Sequence, residues 1–224
     1  MKVVLINRYF APDESATSRM LFSLATRLAA AGESVHVVAS RSLHNDPAVR
    51  LPAKGDVQGV TVHRLGTTSF GRGSLRGRMT DYATFHLAVI WRLLRLLRPG
   101  DVCVVCTDPP MLSVTALFPV VCRRAVLVNW LMDLFPEVAA ELGVGVRRGW
   151  VMRAALWLRD LSLRCARLNV APMQRMADYL VERGLPPATV VTVHHWSDGD
   201  AIRPLPRHRN PLREEWGIGD RFVV

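Results

Sequence analysis

The 224-residue sequence lacks several features that define large classes of protein. No apolar run reaches the ~18 residues that a membrane-spanning helix needs, since Arg123 and Arg124 interrupt the best candidate. The 15 glycines and 14 prolines are near average usage and show no period, which excludes collagen-like and low-complexity chains. With 50% hydrophobic residues, disorder is excluded as well, and we expect one globular fold with a full core.

The glycine-rich signatures of nucleotide binding are also missing. No Gly-x-Gly-x-x-Gly follows the first apolar run, and no Walker phosphate loop occurs anywhere in the chain. Dinucleotide binding and P-loop chemistry are therefore not predicted.

Cysteines are few, and their pattern favours neither a metal nor a redox centre. Cys103 and Cys106 lie in an apolar run that predicts a buried strand, where positions three apart face opposite sides and cannot share a metal. We expect buried core thiols, no metal site and no cofactor. Only Val3 to Ile6 follow Lys2 before polar residues intervene, so no signal peptide is expected and the predicted compartment is the reducing cytoplasm.

Lysine is nearly absent from a strongly basic chain. Lys2 and Lys54 are the only lysines among 29 basic residues, against 19 acidic ones, for a formal net charge of +10. The guanidinium group of arginine can donate two parallel hydrogen bonds to the oxygens of a phosphate. The composition therefore favours phosphate-bearing partners: nucleic acid, anionic lipid headgroups or pyrophosphate-linked substrates. Aromatic residues make up only 7% and no recognition-helix motif accompanies the charge, which makes nucleic acid the weakest of the three.

Apolar runs and helical periodicity alternate along the chain. The predicted strands and helices are strand 3–6, helix from 15 or 17 to 31, strand 35–39, an irregular stretch 42–59, strand 60–65, helix 79–98, strand 101–107, a helical run to 122, strand 125–132, helix 147–167, strand 169–171, helix 173–183 and strand 190–194. This order predicts an α/β fold with a doubly wound, mostly parallel, Rossmann-like sheet, whose ligands bind at the carboxyl ends of the strands.

The turn after the first strand is one candidate binding element. Small residues, Ser15, Ala16 and Thr17, stand at the predicted start of the helix, where free backbone N–H groups and the helix dipole favour an anion. Ordinary helix capping explains the same residues equally well, so both interpretations stay open.

Two carboxylates follow predicted strands. Asp108 precedes two prolines, and Asp133 lies between apolar residues. Because the carboxyl ends of parallel strands share one edge, we expect both to lie near Ser15, where a general base is plausible. Asp108 is also explained as a turn-initiating residue before proline.

A basic segment runs from Arg64 to Arg98, with seven arginines and the single acid Asp81. Arg92, Arg95 and Arg98 are three apart, on one face of a predicted helix that also carries Trp91. This pattern is typical of an interfacial membrane helix and equally of an ordinary amphipathic helix. A second cluster carries the same ambiguity; it comprises Arg147, Arg148, Arg153, Arg159, Arg164 and Arg167.

Four segments in register resemble family 4 glycosyltransferases, in a subgroup linked to exopolysaccharide and lipopolysaccharide sugars. They are residues 7–19, Thr107-Asp108-Pro109-Pro110, residues 129–137, and the tail from His194-His195-Trp196 through Asn210-Pro211-Leu212-Arg213 to Phe222. The resemblance implies the GT-B arrangement of two Rossmann-like halves, an N-terminal half for the acceptor and a C-terminal half for the nucleotide sugar. This chain resembles the N-terminal half.

The resemblance also implies site residues. Asp133 would be catalytic, contacting or deprotonating the acceptor hydroxyl. The acceptor- or donor-binding residues would be Arg8, Ser15, Ala16, Thr17, Asp108 and Glu137, and a membrane or pyrophosphate patch would comprise Arg72, Arg76, Arg78, Arg92, Arg95 and Arg98. Two departures stand out: Ser15-Ala16-Thr17 replaces the paired glycines common in the family's first loop, and Met132 stands where many members have histidine.

From this resemblance we expect residues 1–196 to form the acceptor-binding domain and residues 197–224 a linker and the start of a missing donor-binding domain. The acidic Glu-x7-Glu region that holds the donor in this family belongs to that second half. We therefore expect a retaining transferase half that is inactive by itself, either excerpted or paired with a separate chain, peripheral on the inner membrane face, with a lipid-linked or polysaccharide acceptor and a nucleotide sugar as substrates. The alternative is a noncatalytic module that binds glycan or polyprenyl phosphate, or docks a partner.

Overall fold

The computed structural model describes residues 1–46, 48–71, 73–141, 149–197, 199 and 202–223. The chain divides into two compact units, Met1–His194 and His195–Val224. Among the described residues, no helix is both long enough and apolar enough to cross a bilayer.

One eight-stranded sheet organises the first unit, in the order β3-β4-β2-β1-β5-β6-β7-β8. All neighbours pair in parallel except β3, which is antiparallel to β4. The strands are β1 (Val3–Ile6), β2 (Val35–Ser40), β3 (Lys54–Val57), β4 (Val60–Leu65), β5 (Val102–Val105), β6 (Val126–Trp130), β7 (Leu168–Ala171) and β8 (Val190–Thr192). The predicted doubly wound, Rossmann-like α/β fold is confirmed.

Strand β1 lies at the centre of this sheet because its four apolar residues can be buried on both faces. Leu5 pairs in register with Val37 of β2 and with Val104 of β5. Val4 and Ile6 point to the opposite face and are fully buried. The polar residues Asn7 and Arg8 follow at once, so β1 delivers them to the carboxyl edge of the sheet.

Helices cover the sheet, and their bounds are α1 (Ala16–Ala30), α2 (Leu75–Leu96), α3 (Leu112–Cys122), α4 (Glu137–Glu141), α5 (Trp150–Cys165) and α6 (Gln174–Glu182). Helix α1 packs against β2 and β4. The opposite face carries the main core, where Phe85, Val89 and Leu93 of α2 pack with Ile6 and Val105. Helix α3 contributes Leu112, Ala116 and Val120 to the same cluster.

The stretch 42–59, predicted to be irregular, contains strand β3. Lys54–Val57 and β4 form a hairpin whose turn places Gln58 and Gly59 at positive φ. The prediction missed it because Lys54-Gly55-Asp56-Val57 has low strand propensity and lies at the edge of the sheet, where partial exposure blurs the apolar signal. The short helix α4 was missed as well.

Helix α2 differs from its predicted bounds of 79–98 at both ends. It begins four residues earlier, because the Ser74 hydroxyl accepts the Gly77 N–H and caps it. It ends at Leu96, since Leu97 has an extended backbone and the Arg98 N–H donates to Asp101 Oδ2 at 2.9 Å. The prediction that Arg92, Arg95 and Arg98 share one helix face is therefore wrong for Arg98.

Smaller differences lie within two or three residues of the predicted bounds at the other helices and strands. The predicted start of α5 at Arg147 and Arg148 lies outside the described residues, and α5 begins at Trp150. The second unit contains α7 (Pro211–Glu215), where the Asn210 side chain accepts the Leu212 N–H and caps the helix.

Candidate functional site

A cavity of about 620 Å³ opens at the carboxyl edge of the sheet, beside the ends of β1, β2 and β5. Its wall is rich in hydroxyl and charged groups. It is lined by Arg8, Tyr9, Ser15, Ala16, Thr17, Ser42, Leu43, His44, Asn45, Ser69, Gly71, Arg78, Asp81, Tyr82 and Asp108. Many polar groups on a concave wall suit a polar ligand with several hydroxyls or an anion.

Backbone hydrogen bonds hold the strand ends together at the base of this cavity. The Arg8 N–H donates to the Asp108 carbonyl oxygen at 2.9 Å, and the Ser40 N–H donates to the Arg8 carbonyl oxygen at 2.8 Å. The residues that follow β1 and β5 are thus hydrogen-bonded to one another and to the last residue of β2. The predicted convergence of Asp108 and the Ser15 turn is present, since both line the same cavity.

The Arg8 guanidinium lies between two aromatic rings. Its central carbon is 5.2 Å from the Tyr9 ring centroid and 4.9 Å from that of Tyr82. Its Nη2 atom lies 3.7 Å from Oδ2 of Asp81. Stacking and the nearby carboxylate restrict the rotamers of the arginine, so its charge is positioned before any ligand arrives.

Asp81, on the buried side of α2, contacts the loop before this helix as well as Arg8. Its side chain is 1% exposed, and its two oxygens accept the Phe70 N–H at 3.0 Å and the Gly71 N–H at 3.1 Å. The carboxylate therefore ties the loop before α2 to the arginine from β1. Removing it would release both walls of the cavity.

A second buried carboxylate, Asp13, shapes the start of α1. Its Oδ1 accepts the backbone N–H of Ser15 at 2.9 Å and the Ser15 hydroxyl at 2.5 Å, while Oδ2 accepts the His44 N–H at 2.6 Å. The Ser15 hydroxyl is thus engaged outside the helix, and Ser15 makes no side-chain cap. Ordinary capping by Ser15 is therefore wrong, and the first turn of α1, which contains no acidic residue, faces the cavity without a side-chain cap.

Two buried polar atoms beside the cavity have no hydrogen-bond partner among the described residues. They are Nε of Arg78, which lines the cavity, and Oδ1 of Asn7, whose amide nitrogen donates to the Tyr9 carbonyl oxygen at 2.8 Å. Buried unpaired groups are uncommon and are satisfied when a ligand or water arrives.

Asp133 follows β6 and does not line this cavity. It is exposed and borders a much smaller hollow, of about 30 Å³, together with Thr107, Ser113 and Arg159. The expectation that Asp108 and Asp133 share a site with Ser15 is met for Asp108 only, because Asp133 follows β6, one strand further along the same edge than β5.

Glu137 lies at the start of α4 and is held by a network of side chains. It accepts two hydrogen bonds from Arg159, at 3.1 Å and 2.5 Å, and one from the Tyr179 hydroxyl at 3.1 Å. Arg159 also pairs with Asp160, and that carboxylate's pKa is lowered by hydrogen bonds from Arg183 and Arg159, which outweigh the opposing effect of its burial. Glu137 thus joins α4, α5 and α6, away from the large cavity.

The six arginines of the predicted patch are spread over several environments. Arg78 lines the cavity, Arg92 is half-buried on α2, and Arg95 lies over the Trp91 ring at 3.7 Å from its centroid. Arg76 and Arg98 are exposed, and Arg72 lies outside the described residues.

Sequence reasoning assigned no role to Asp13, which holds the turn before α1, nor to nine of the fifteen residues that line the cavity: Tyr9, Ser42, Leu43, His44, Asn45, Ser69, Gly71, Asp81 and Tyr82. Asp13 carried a usable signal, because an aspartate two residues before a helix cap is typical of a turn that accepts backbone N–H groups. Asp81 was noted only as the one acid in a basic segment. His44 and Tyr82 gave no signal, since tertiary pairing alone brings them to the site. Among the described residues, no cluster of three or more His, Cys, Asp or Glu could hold a metal ion.

The eight-stranded, mostly parallel sheet with a cavity at its carboxyl edge defines a Rossmann-like α/β fold, and it matches about half of each of several solved GT-B glycosyltransferases. The chain superposes on sucrose-phosphate synthase from Thermosynechococcus elongatus with a TM-score of 0.68 and 14% identity, covering 95% of this chain and 52% of that one. It superposes on Anabaena Alr3699/HepE in complex with UDP and glucose with a TM-score of 0.62 and 13% identity, covering 99% of this chain and 52% of that one.

The family follows from the sequence. The glycosyl transferase 4-like domain matches residues 16–196, and the chain belongs to that family. It is 28% identical over 149 residues to chitobiosyldiphosphodolichol beta-mannosyltransferase of Eremothecium gossypii, covering 66% of this chain and 31% of that protein. The chain thus spans about half the length of these solved structures and a third of this curated relative.

Proposed function

We propose that this chain is the acceptor-binding half of a retaining glycosyltransferase, which moves a sugar from a nucleotide-sugar donor to a lipid-linked or polysaccharide acceptor. The observation that carries the proposal is the cavity between Arg8, Arg78 and the uncapped first turn of α1. Hydroxyl groups that could bind a sugar and arginines that could bind a phosphate line the same cavity. The name of the Eremothecium relative includes a lipid diphosphate, and the Anabaena structure holds UDP and glucose, which supports both substrate classes.

Asp133 and the residues predicted to bind the acceptor or donor each have a role in this proposal, as does Arg78. Arg8 and Arg78 hold an acceptor phosphate, and Ser15, Ala16 and Thr17 present backbone N–H groups toward the transferred sugar or the donor phosphates. Asp108 accepts hydrogen bonds from sugar hydroxyls at the rim. Asp133 deprotonates or orients the acceptor hydroxyl, and Glu137 acts by positioning the segment that carries Asp133 through its bonds to Arg159.

We further propose that residues 1–196 form the acceptor domain and that residues 197–224 lead to a donor-binding domain, in the same polypeptide or in a separate chain. The length of the relatives supports this division. Membership of the exopolysaccharide or lipopolysaccharide subgroup, a cytoplasmic location and peripheral membrane attachment belong to the same proposal.

The first experiment compares residues 1–224 alone with the same chain co-expressed with, or extended by, the coding sequence that follows or neighbours it. Transfer of labelled sugar from a panel of UDP-, GDP- and ADP-sugars to extracted polyprenyl diphosphate glycans is measured, and NMR of the product determines its anomeric configuration. We expect transfer only with the second half present, and retention of configuration. Transfer by residues 1–224 alone would contradict the division into halves.

The second experiment tests the carboxylates. In the two-half enzyme, Asp133→Asn is expected to lower kcat by about 100-fold or more, the ordinary contribution of a general base. Asp108→Asn is expected to raise KM more than it lowers kcat, since Asp108 lies in the binding cavity. Turnover of Asp133→Asn within about threefold of the wild type would show that Asp133 is not the base.

The alternative function is a noncatalytic module that binds glycans or polyprenyl phosphates, or docks a partner chain. It is favoured by the fact that the large cavity holds arginines and hydroxyls while Asp133 lies outside it. A chain that binds polyprenyl phosphate but never supports transfer, whatever second half is supplied, would establish this alternative.

A further inference from the structure

Three neighbouring helices of the first unit direct large apolar side chains toward solvent. Soluble monomers rarely expose many such residues on adjacent elements, and a large exposed apolar surface indicates a protein or membrane interaction. The outward apolar residues are Leu75, Met79, Leu87 and Trp91 of α2, Phe118 and Val121 of α3, and Trp150, Trp157, Leu158 and Leu161 of α5.

Large apolar residues recur along the exposed side of α2. Leu75 and Met79 are four positions apart, as are Leu87 and Trp91, with eight positions between the two pairs; Phe85, Val89 and Leu93 are on the buried side of the same helix. A surface helix normally carries polar residues on its outer side. Trp91 is 59% exposed and Leu87 is 67% exposed, so the exposed side of this helix carries large apolar residues together with Arg76 and Arg95.

Helix α3 lies between α2 and α5, which makes the three stripes one surface. Thr115 Oγ1 of α3 is 2.8 Å from Nδ1 of His86 on α2, and Ser113 Oγ of α3 is 3.0 Å from Ser162 Oγ on α5. On α5 the apolar residues recur at helical spacing, with Trp150 80% and Trp157 64% exposed.

Arginines accompany these apolar residues. Arg95 stacks on Trp91, Arg153 lies between exposed apolar positions of α5, and Arg164 follows the last of them; Arg123 and Arg124 follow α3. Tryptophan and arginine are the residues that reside at a lipid headgroup boundary, where an apolar body is immersed and the cation meets phosphate. A protein partner would need matching acids, whereas an anionic bilayer offers phosphate everywhere.

We propose that the outer surface of α2, α3 and α5 docks this chain on an anionic lipid bilayer. The sequence predicted a membrane contact on the helix of Arg92 and Arg95 alone. The proposed surface also includes α5, which supplies two of its three tryptophans. Arg78 of the cavity and the outward Leu75 and Met79 lie on the same first turns of α2, so docking brings the cavity to the headgroup layer. The biological need for docking rests on the proposed lipid-linked acceptor, but the docking itself is independent of transfer.

Vesicle flotation of residues 1–224 tests this. The vesicles contain phosphatidylcholine alone or with a quarter phosphatidylglycerol, and no sugar or acceptor is present. We expect binding to the anionic vesicles that weakens at high salt, and little binding to the neutral ones. Trp91→Ser/Trp150→Ser/Trp157→Ser and, separately, Arg95→Ser/Arg153→Ser should each reduce the partition coefficient by about tenfold or more.

Control variants test whether the loss of binding depends on where the arginines and tryptophans are removed, and not only on how many are removed. Arg19→Ser/Arg27→Ser removes the same charge from α1, on the other face of the sheet, and Trp216→Ser removes an exposed tryptophan from the second unit; both should lower partitioning by less than about twofold. Circular dichroism confirms that the variants fold, which is expected because all replaced side chains are exposed.

Three results would overturn the proposal: equal partitioning of all variants, equal binding to neutral and anionic vesicles, or self-association of the wild type that the tryptophan variant abolishes while neither floats. In detergent, with a solubilised acceptor and the second half, the tryptophan variant should transfer sugar as fast as the wild type. If neither the wild type nor the variant transferred sugar while the wild type still floated with anionic vesicles, the proposed transferase activity would be refuted and the docking proposal would not.

Discussion

At the scale of single residues, two buried carboxylates hold the walls of the cavity together, although the arginines are the more conspicuous residues in the sequence. Asp81 joins a loop to Arg8, and Asp13 joins the α1 turn to the loop after β2. The sequence could identify Arg8 and Ser15 because they directly follow a strand or begin a helix. It could not identify Asp81, because an aspartate inside a helix looks like an ordinary surface charge until tertiary structure buries it.

Asp81→Asn should therefore destabilise the protein by about 2–4 kcal/mol, measured by urea unfolding. The substitution removes the negative charge that faces Arg8. It also places an NH₂ donor against the N–H of Phe70 or Gly71, so one of these two hydrogen bonds is lost. Asp178→Asn, an exposed change of the same chemistry on α6, should stay within about 0.5 kcal/mol. A loss below about 1 kcal/mol at Asp81 would show that the carboxylate does not hold the loop.

At the scale of elements, parallel strands and their helices were predictable because long apolar runs and helical periods recur without ambiguity. Helix ends and the β3 edge were not, because Ser74 capping and the hairpin turn at Gln58 depend on single contacts. A pairing between elements also escaped prediction: His36 of β2 and His63 of β4 stack with ring centroids 5.3 Å apart, and their Nδ1 and Nε2 atoms are 3.0 Å apart.

This pair should make stability depend on pH. Burial, followed by the charges of Arg92, His36, Lys54 and Lys2, lowers the pKa of His63 from 6.5 to about 4; burial and Lys2 lower the pKa of His36 against the opposing effect of Asp101. The folded state then binds fewer protons than the unfolded state, so stability is complete above pH 6.5 and falls as the pH drops toward 4.

Over that range we expect a loss on the order of 1–2 kcal/mol, which His63→Gln should largely remove. The measurement is urea unfolding at several pH values, with the exposed His195→Gln as control. Parallel pH curves for the wild type and His63→Gln would exclude the pair as the cause.

At the scale of the whole molecule, the composition predicted one full core, and the structure locates it within Met1–His194. Among the described residues, every buried apolar side chain lies between Val4 and Leu185. The net charge of +10 favours a phosphate-bearing ligand and an anionic surface, and both stay predictions. It could not reveal that tryptophans of α5 share a surface with α2, because only the packing of α3 between these helices brings them together.

A chain ending at residue 196 should therefore fold by itself. The apolar burial that stabilises the first unit is retained, so thermal unfolding should remain cooperative, with a midpoint within about 3 °C of the 224-residue chain, where 1 kcal/mol corresponds to roughly 2–4 °C. Flotation on anionic vesicles should also persist, since α2, α3 and α5 are all present. A midpoint lowered by more than about 8 °C, or loss of cooperativity, would mean that residues 197–224 belong to the acceptor domain and that the proposed boundary is wrong.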